Sequence, residues 1–160
     1  MRKMLTAVLI ACMFVFMSML SISAVQAKSH KPVANAEGTL TWTVVNFEST
    51  RKVGINTIYR GTSEVAANGT FNGTVTDAWV EIWHNQSLNL RDWMKFNGTV
   101  DGKSGTLTIR LVGKATIPGI EWKGQWTITG GTGDLANLRG QGSWWGTGLD
   151  VEYSGSIHFV

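Results

Sequence analysis

The chain has 160 residues, 43% of them hydrophobic and 16% charged, with 19 Gly, 8 Trp and a formal net charge of +3. The length suits one domain, and this much apolar content excludes a disordered chain. Glycine without a G-X-Y period excludes collagen.

The front of the chain differs from the rest. Every Gly and every Trp lies after Ala36, whereas the single Cys and all Met but Met94 lie before Lys28. Met1-Arg2-Lys3 is basic, Met4 to Val25 is uncharged and apolar, and Val25-Gln26-Ala27 places small residues at −3 and −1 of a cleavage site. This tripartite pattern predicts a secretory signal peptide over residues 1–27 and a secreted or periplasmic mature protein. The apolar run, about 20 residues, also suffices to span a bilayer. The alternative is therefore a membrane anchor over residues 4–25, the only membrane contact expected. Leu9-Ile10-Ala11-Cys12 resembles a lipobox, but apolar residues follow where a polar tether is expected.

Without Arg2 and Lys3, 12 basic residues face 11 acidic ones. No basic stripe remains, so nucleic acid is not an expected partner. Residues 28–160 contain no Cys, which excludes disulfides, thiol nucleophiles and Cys-based zinc sites. Lys28–Glu37 is polar and reads as a tether. Residues 38–160 then form the domain.

Short strands and turns follow in order. In Gly38–Val44, Leu40, Trp42 and Val44 alternate with Thr, the period of a strand with one buried face. Ile58–Ala66 is a second strand. Asn68-Gly69, Asn72-Gly73, Asn97-Gly98 and Asp101-Gly102 are signals for tight hairpins. Asn68, Asn72, Asn85 and Asn97 are also N-x-[ST] sequons, acceptors for glycosylation where the machinery exists.

Phe71–His84 holds the most suggestive stretch. Trp79, Glu81 and Trp83 share one face and Ala78, Val80 and Ile82 the other. A carboxylate between two indoles combines flat apolar surface with one strong acceptor, a ligand-binding pattern. A buried Glu81 would also have a raised pKa suited to acid–base work. Arg91 and Trp93 in Asn89–Val100, and Arg110 in Gly105–Lys114, repeat the mix on the next strands. The competing account makes this an outer face, with Trp covering apolar surface and Glu paired to Arg. Ile120–Ile128 adds Trp122 and Trp126 on one face, with Glu121 on the other. Arg139–Gly146 and Val151–Phe159 complete about eight strands. At Trp144-Trp145, neighbours on a strand point to opposite faces, so at most one is buried without a bulge. Regular strands rich in glycine favour an all-β, closed antiparallel eight-stranded barrel over a sandwich.

Motifs for other chemistry fail on context. Gly131-Thr-Gly-Asp-Leu-Ala136 fits a loose dinucleotide pattern but lacks a βαβ setting. Gly98–Ser104 is one residue short of a P-loop and reads as a hairpin. His30, His84 and His158 form no H-x-x-x-H pair. Neither a metal nor another cofactor is expected.

Phe96-Asn-Gly-Thr-Val-Asp-Gly-Lys-Ser-Gly-Thr-Leu107, Gly113 and Gln125-Trp-Thr-Ile-Thr-Gly-Gly-Thr-Gly-Asp-Leu-Ala-Asn-Leu-Arg-Gly-Gln-Gly142 carry a resemblance. They are similar to a bacterial domain-of-unknown-function family of small barrels akin to allene oxide cyclase and the dirigent proteins. The start, Ala36–Leu40, and the closing Tyr153–Phe159 strand fit it too. The resemblance implies a calycin-like barrel, often a homo-oligomer, with no agreed activity. It further implies that Leu135 and Leu138 plug one barrel end and that Arg139 pairs with Asp134 or Glu121.

Three functions follow as expectations. The leading one is an exported barrel binding a small apolar or amphipathic molecule, using Trp79, Glu81, Trp83, Arg91, Trp93, Arg110, Trp122 and Trp126. The second is a cyclase or isomerase with Glu81 or Glu121 as the acid–base group. The third is a surface or carbohydrate-binding module that stacks sugars on Trp144 and Trp145. The balance of motifs leans away from an enzyme.

Overall fold

The computed structural model describes residues 33–160. The signal-peptide and anchor readings, and most of the tether, lie outside the described residues. The eight strands are β1 (Ala34–Val53), β2 (Asn56–Gly69), β3 (Phe71–His84), β4 (Ser87–Val100), β5 (Lys103–Thr116), β6 (Glu121–Gly133), β7 (Leu138–Thr147) and β8 (Asp150–Phe159). Each pairs antiparallel with the next, and β1 pairs with β8 to close the ring. The tether is shorter than expected. β1 begins at Ala34, and Ala36 is buried in the core opposite Gly155.

Alternation sends one side chain in two to the interior. On β4, Leu88, Leu90, Asp92, Met94 and Phe96 are buried while Asn89, Arg91, Trp93, Lys95 and Asn97 are exposed. β1 departs from its expected parity. A bulge between Trp42 and Val44 leaves Val44 exposed, and Val45 and Phe47 take the cavity side instead. An extra residue on one strand shifts all later side chains to the other face. The Thr43 hydroxyl at this bulge donates to the Glu64 carbonyl at 3.1 Å.

The hairpin signals divide into two groups. Asp101-Gly102 is a turn, and both residues have positive φ, 49° and 75°. That is the geometry of a tight hairpin. Asn68-Gly69 instead ends β2, still paired with Thr39 and Gly38 of β1. Asn72-Gly73 and Asn97-Gly98 lie within strands, with Gly73 facing Gly98 across β3 and β4. There the backbones approach so closely that a Cβ on either glycine would strike its partner strand. Close backbone approach, rather than a turn, selects glycine at these sites.

Similar glycine pairs carry the large rings. Gly113 faces Gly124, and a Cβ on either would run into Trp144. Gly142 faces Gly155, both under Trp126. The rings fill the space the glycines leave.

The barrel has two unlike ends. At one, Leu135 and Leu138 from the β6–β7 connection are fully buried in the same core cluster as Val100 and Leu107, as expected of a plug. Among the described residues, Arg139 forms an ion pair with neither Asp134 nor Glu121. Its guanidinium donates to the Leu138 and Ala136 carbonyls at 2.8 and 3.2 Å. The β6–β7 turn leaves those carbonyls unused by the strands, and the arginine satisfies them. The Phe71 backbone N–H donates to the Tyr153 hydroxyl at 2.9 Å, tying β3 to β8 across the same end.

Candidate functional site

The other end opens between the β1–β2, β3–β4, β5–β6 and β7–β8 turns. A cavity of about 110 Å³ lies there. Its aromatic wall is Trp42, Trp79, Trp122 and Trp144, and Leu90 and Val151 add aliphatic surface. Val45, Phe47 and Leu149 form an exposed apolar rim. Phe47 stands edge-on to Trp79, ring centroids 5.1 Å apart. The second internal void, among Leu40, Phe71, Met94 and Trp126, is only about 20 Å³. One water needs roughly 10–15 Å³ on this measure, so the plugged half of the barrel is effectively filled.

The polar groups of the cavity wall are Ser63, Glu81 and Asp92. Most of the indole donors are already used. Trp42 donates to the Asp77 carboxyl at 3.2 Å, Trp79 to the Ser63 hydroxyl at 2.8 Å and Trp144 to the Val112 carbonyl at 3.2 Å. Trp83 stands at the mouth and donates to Glu81 Oε2 at 2.8 Å. Burial raises the Glu81 pKa, and this Trp83 hydrogen bond opposes the shift.

Asp77 and Asp92 form a buried acid pair that sequence reading missed. Ser63 faces Asp77 across β2 and β3, and Asp92 faces Trp79 across β3 and β4. Asp92 is 1% exposed and Asp77 5%. Desolvation raises both pKa values. Asp92 is raised the more strongly, since the Asp77 charge and the hydrogen bond with Asp77 add to its burial. On Asp77, hydrogen bonds from Asp92, Ser63 and Trp42 oppose the rise. As two carboxylates, Asp77 and Asp92 would each keep a buried Oδ1 without a donor. One proton held between them relieves both the repulsion and the missing donor, the behaviour of like charges sharing a site. The sequence did carry a signal for the pair. Each aspartate occupies an inward parity, Asp77 between Val75 and Trp79 and Asp92 between Leu90 and Met94.

The expected site residues fall into three groups. Trp79, Glu81 and Trp122 line the cavity, with Trp83 bonded to Glu81 at its edge. Trp126 is buried in the filled half, its N–H on the Ser154 carbonyl at 3.2 Å. Arg91, Trp93 and Arg110 are on the outer surface, because their strand parity is opposite to that of Leu90, Asp92 and Ile109. Trp93 faces Arg110 there across β4 and β5. Arg91 and Arg110 border an outer groove with Lys114 and Lys123. Glu121 is exposed, and Trp144 is buried while Trp145 is exposed. The four sequon asparagines are all exposed. No cluster of three or more His, Cys, Asp or Glu suited to a metal ion occurs among the described residues.

No protein-family model matches the sequence, and no curated protein matches it. The fold is similar to a solved protein of unknown function of the DUF3224 family from Shewanella oneidensis MR-1. The two share 15% identity over 81% of this chain and 98% of that one, with a TM-score of 0.68. This likeness is one of fold. The neighbour is itself a domain of unknown function, which is the coarse content of the sequence resemblance.

Proposed function

We propose that the domain is an exported barrel that binds a small amphipathic molecule in its open end, with an apolar part among Trp42, Trp79, Trp122 and Trp144. The observation that carries this reading is the contrast between the two halves of one barrel. The plugged half is packed to about 20 Å³ of free space, whereas the mouth keeps about 110 Å³ beneath an apolar rim. An engineered apolar cavity of about 150 Å³ accepts benzene. The size thus suits one ring or the end of a chain and is too small for a fused-ring lipid. The leader-like residues 1–27 support a role outside the cytoplasm.

The test is a thermal-shift titration of residues 28–160 with toluene as a neutral ring-sized probe. A ligand at 100 times its Kd stabilises the fold by about 2.7 kcal/mol, so a saturating rise of several degrees is expected. A melting temperature unmoved by any ring-sized probe overturns the reading.

A second reading, supported by the acid pair and by the allene oxide cyclase-like resemblance, is a cyclase or isomerase. Glu81 and Asp92, both raised in pKa and on the cavity wall, would move the proton; exposed Glu121 is displaced as a candidate. Recovery of a bound natural ligand as an isomer of equal mass would favour this reading over simple binding. The sugar-stacking module keeps only Trp145 at the surface, because Trp144 is inside the barrel.

A further inference from the structure

The cavity wall is unbalanced in a way that selects a ligand. It contains no Lys, Arg or His. Three of its four indole N–H groups donate to protein acceptors, so little donor capacity faces an occupant. Against this stand two carboxyl groups, Glu81 and Asp92, one on each of two adjacent strands. Asp92 is 1% exposed, lines the cavity, and its Oδ1 has no hydrogen-bond partner among the described residues. Trp83 occupies Glu81 Oε2. An anion would meet two carboxyls and no cation. A neutral apolar ring would leave the acceptors unused. A ligand bearing N–H donors and a positive charge satisfies both oxygens, and indoles attract cations through the ring quadrupole.

We propose that the cavity recognises a small organic ammonium ion, with its apolar part among the tryptophans and its N–H groups on Glu81 and Asp92. This rests on the small-molecule reading above and names the chemical class it takes. The ammonium meets the negative charge of the pair from the cavity side, at Asp92, while the proton shared with Asp77 stays in place. The charged and titratable groups around the pair are few. Glu81 shares the cavity, while Glu64 and Lys95 border Asp77 from the outer face. Burial and the neighbouring charge favour retention of one proton by the pair.

Isothermal titration at pH 7.5 with benzylamine, benzyl alcohol and benzoate tests this on three molecules of similar size. Benzylamine is expected to bind at least tenfold more tightly than benzyl alcohol, and benzoate not to bind. E81Q alters a half-buried mouth residue and should keep the melting temperature. It should weaken benzylamine about tenfold and narrow its margin over benzyl alcohol. Equal affinity for benzylamine and benzyl alcohol, or a preference that survives E81Q undiminished, overturns the ammonium assignment while leaving a small-molecule cavity standing. Failure of all three probes overturns both.

Discussion

Asp92 is the residue whose environment most opposes its charge. Its carboxyl is raised well above the ordinary value of 3.8 by burial and by Asp77. A group with a higher pKa folded than unfolded holds its proton more tightly in the fold. Its stabilising effect is complete below the unfolded value and is lost as pH rises through the folded one. The barrel should therefore be more stable to denaturant near pH 4.5 than near pH 8, other carboxylates being equal. D92N keeps the shape and removes the ionisation. It is expected to flatten this slope and to stabilise the protein at pH 8, read from urea unfolding at the two pH values. A wild-type slope retained in D92N would assign the effect elsewhere. The residue scale also shows where sequence reading stops. Parity put Trp79, Glu81 and Trp83 on one face without deciding which side of the sheet it was, and Trp79, Glu81 and Trp122 line the cavity. Arg91, Trp93 and Arg110 were grouped with them by chemical type, but they have the opposite parity on their own strands. Asp77 and Asp92 have the inward parity and were passed over, because charge is normally a sign of an outer face.

At the scale of the strand, glycine and tryptophan act together. Gly113 and Gly124 face one another on β5 and β6, and the Trp144 ring from β7 lies against both. The indole donates to Val112 beside them, which fixes the ring over the bend. Trp144→Ala should cost about 3–5 kcal/mol, as for other buried large-to-small changes. Gly113→Ala should cost about 1–3 kcal/mol because its methyl meets the ring. The two costs should not add: without the ring, the Gly113 substitution loses most of its penalty. A double-mutant cycle by chemical denaturation checks this, and strict additivity would show that ring and glycine are independent. The glycine and tryptophan excess was visible in the composition, but their pairing was not. It depends on register between strands far apart in sequence, which one strand's own pattern does not contain. The bulge after Trp42 escaped for the same reason. It is a mismatch between β1 and β2, and the threonine alternation before it continues smoothly through Thr43.

For the molecule as a whole, stability and recognition reside at opposite ends. Leu135 and Leu138 close the packed end, while Phe47, 68% exposed, stands on the rim of the mouth. Leu135→Ala should lower stability by about 2–5 kcal/mol and leave the Kd for benzylamine unchanged. Phe47→Ala should stay within about 0.5 kcal/mol of the parent, like most exposed substitutions, yet weaken the probe. Paired melting and titration curves on both variants read this division directly. The closed all-β ring was legible from turn spacing and alternation. Which end stays open was not, because it is decided by how eight strands jointly fill a common interior.

The pairing of β1 with β8 also bears on how the molecule assembles. Seven of the eight strand pairings join neighbours in the chain, but Ala34 must wait for Ile157. Chains emerge from the ribosome N-terminus first, so β1 is made early and completed last. Until β8 arrives, it presents an unpaired edge that another chain can join. Glu37, exposed on that edge opposite Ser154, places a charge where a stray strand would dock. β8, made after the other seven strands of the ring, thus seals both the barrel and its most aggregation-prone edge.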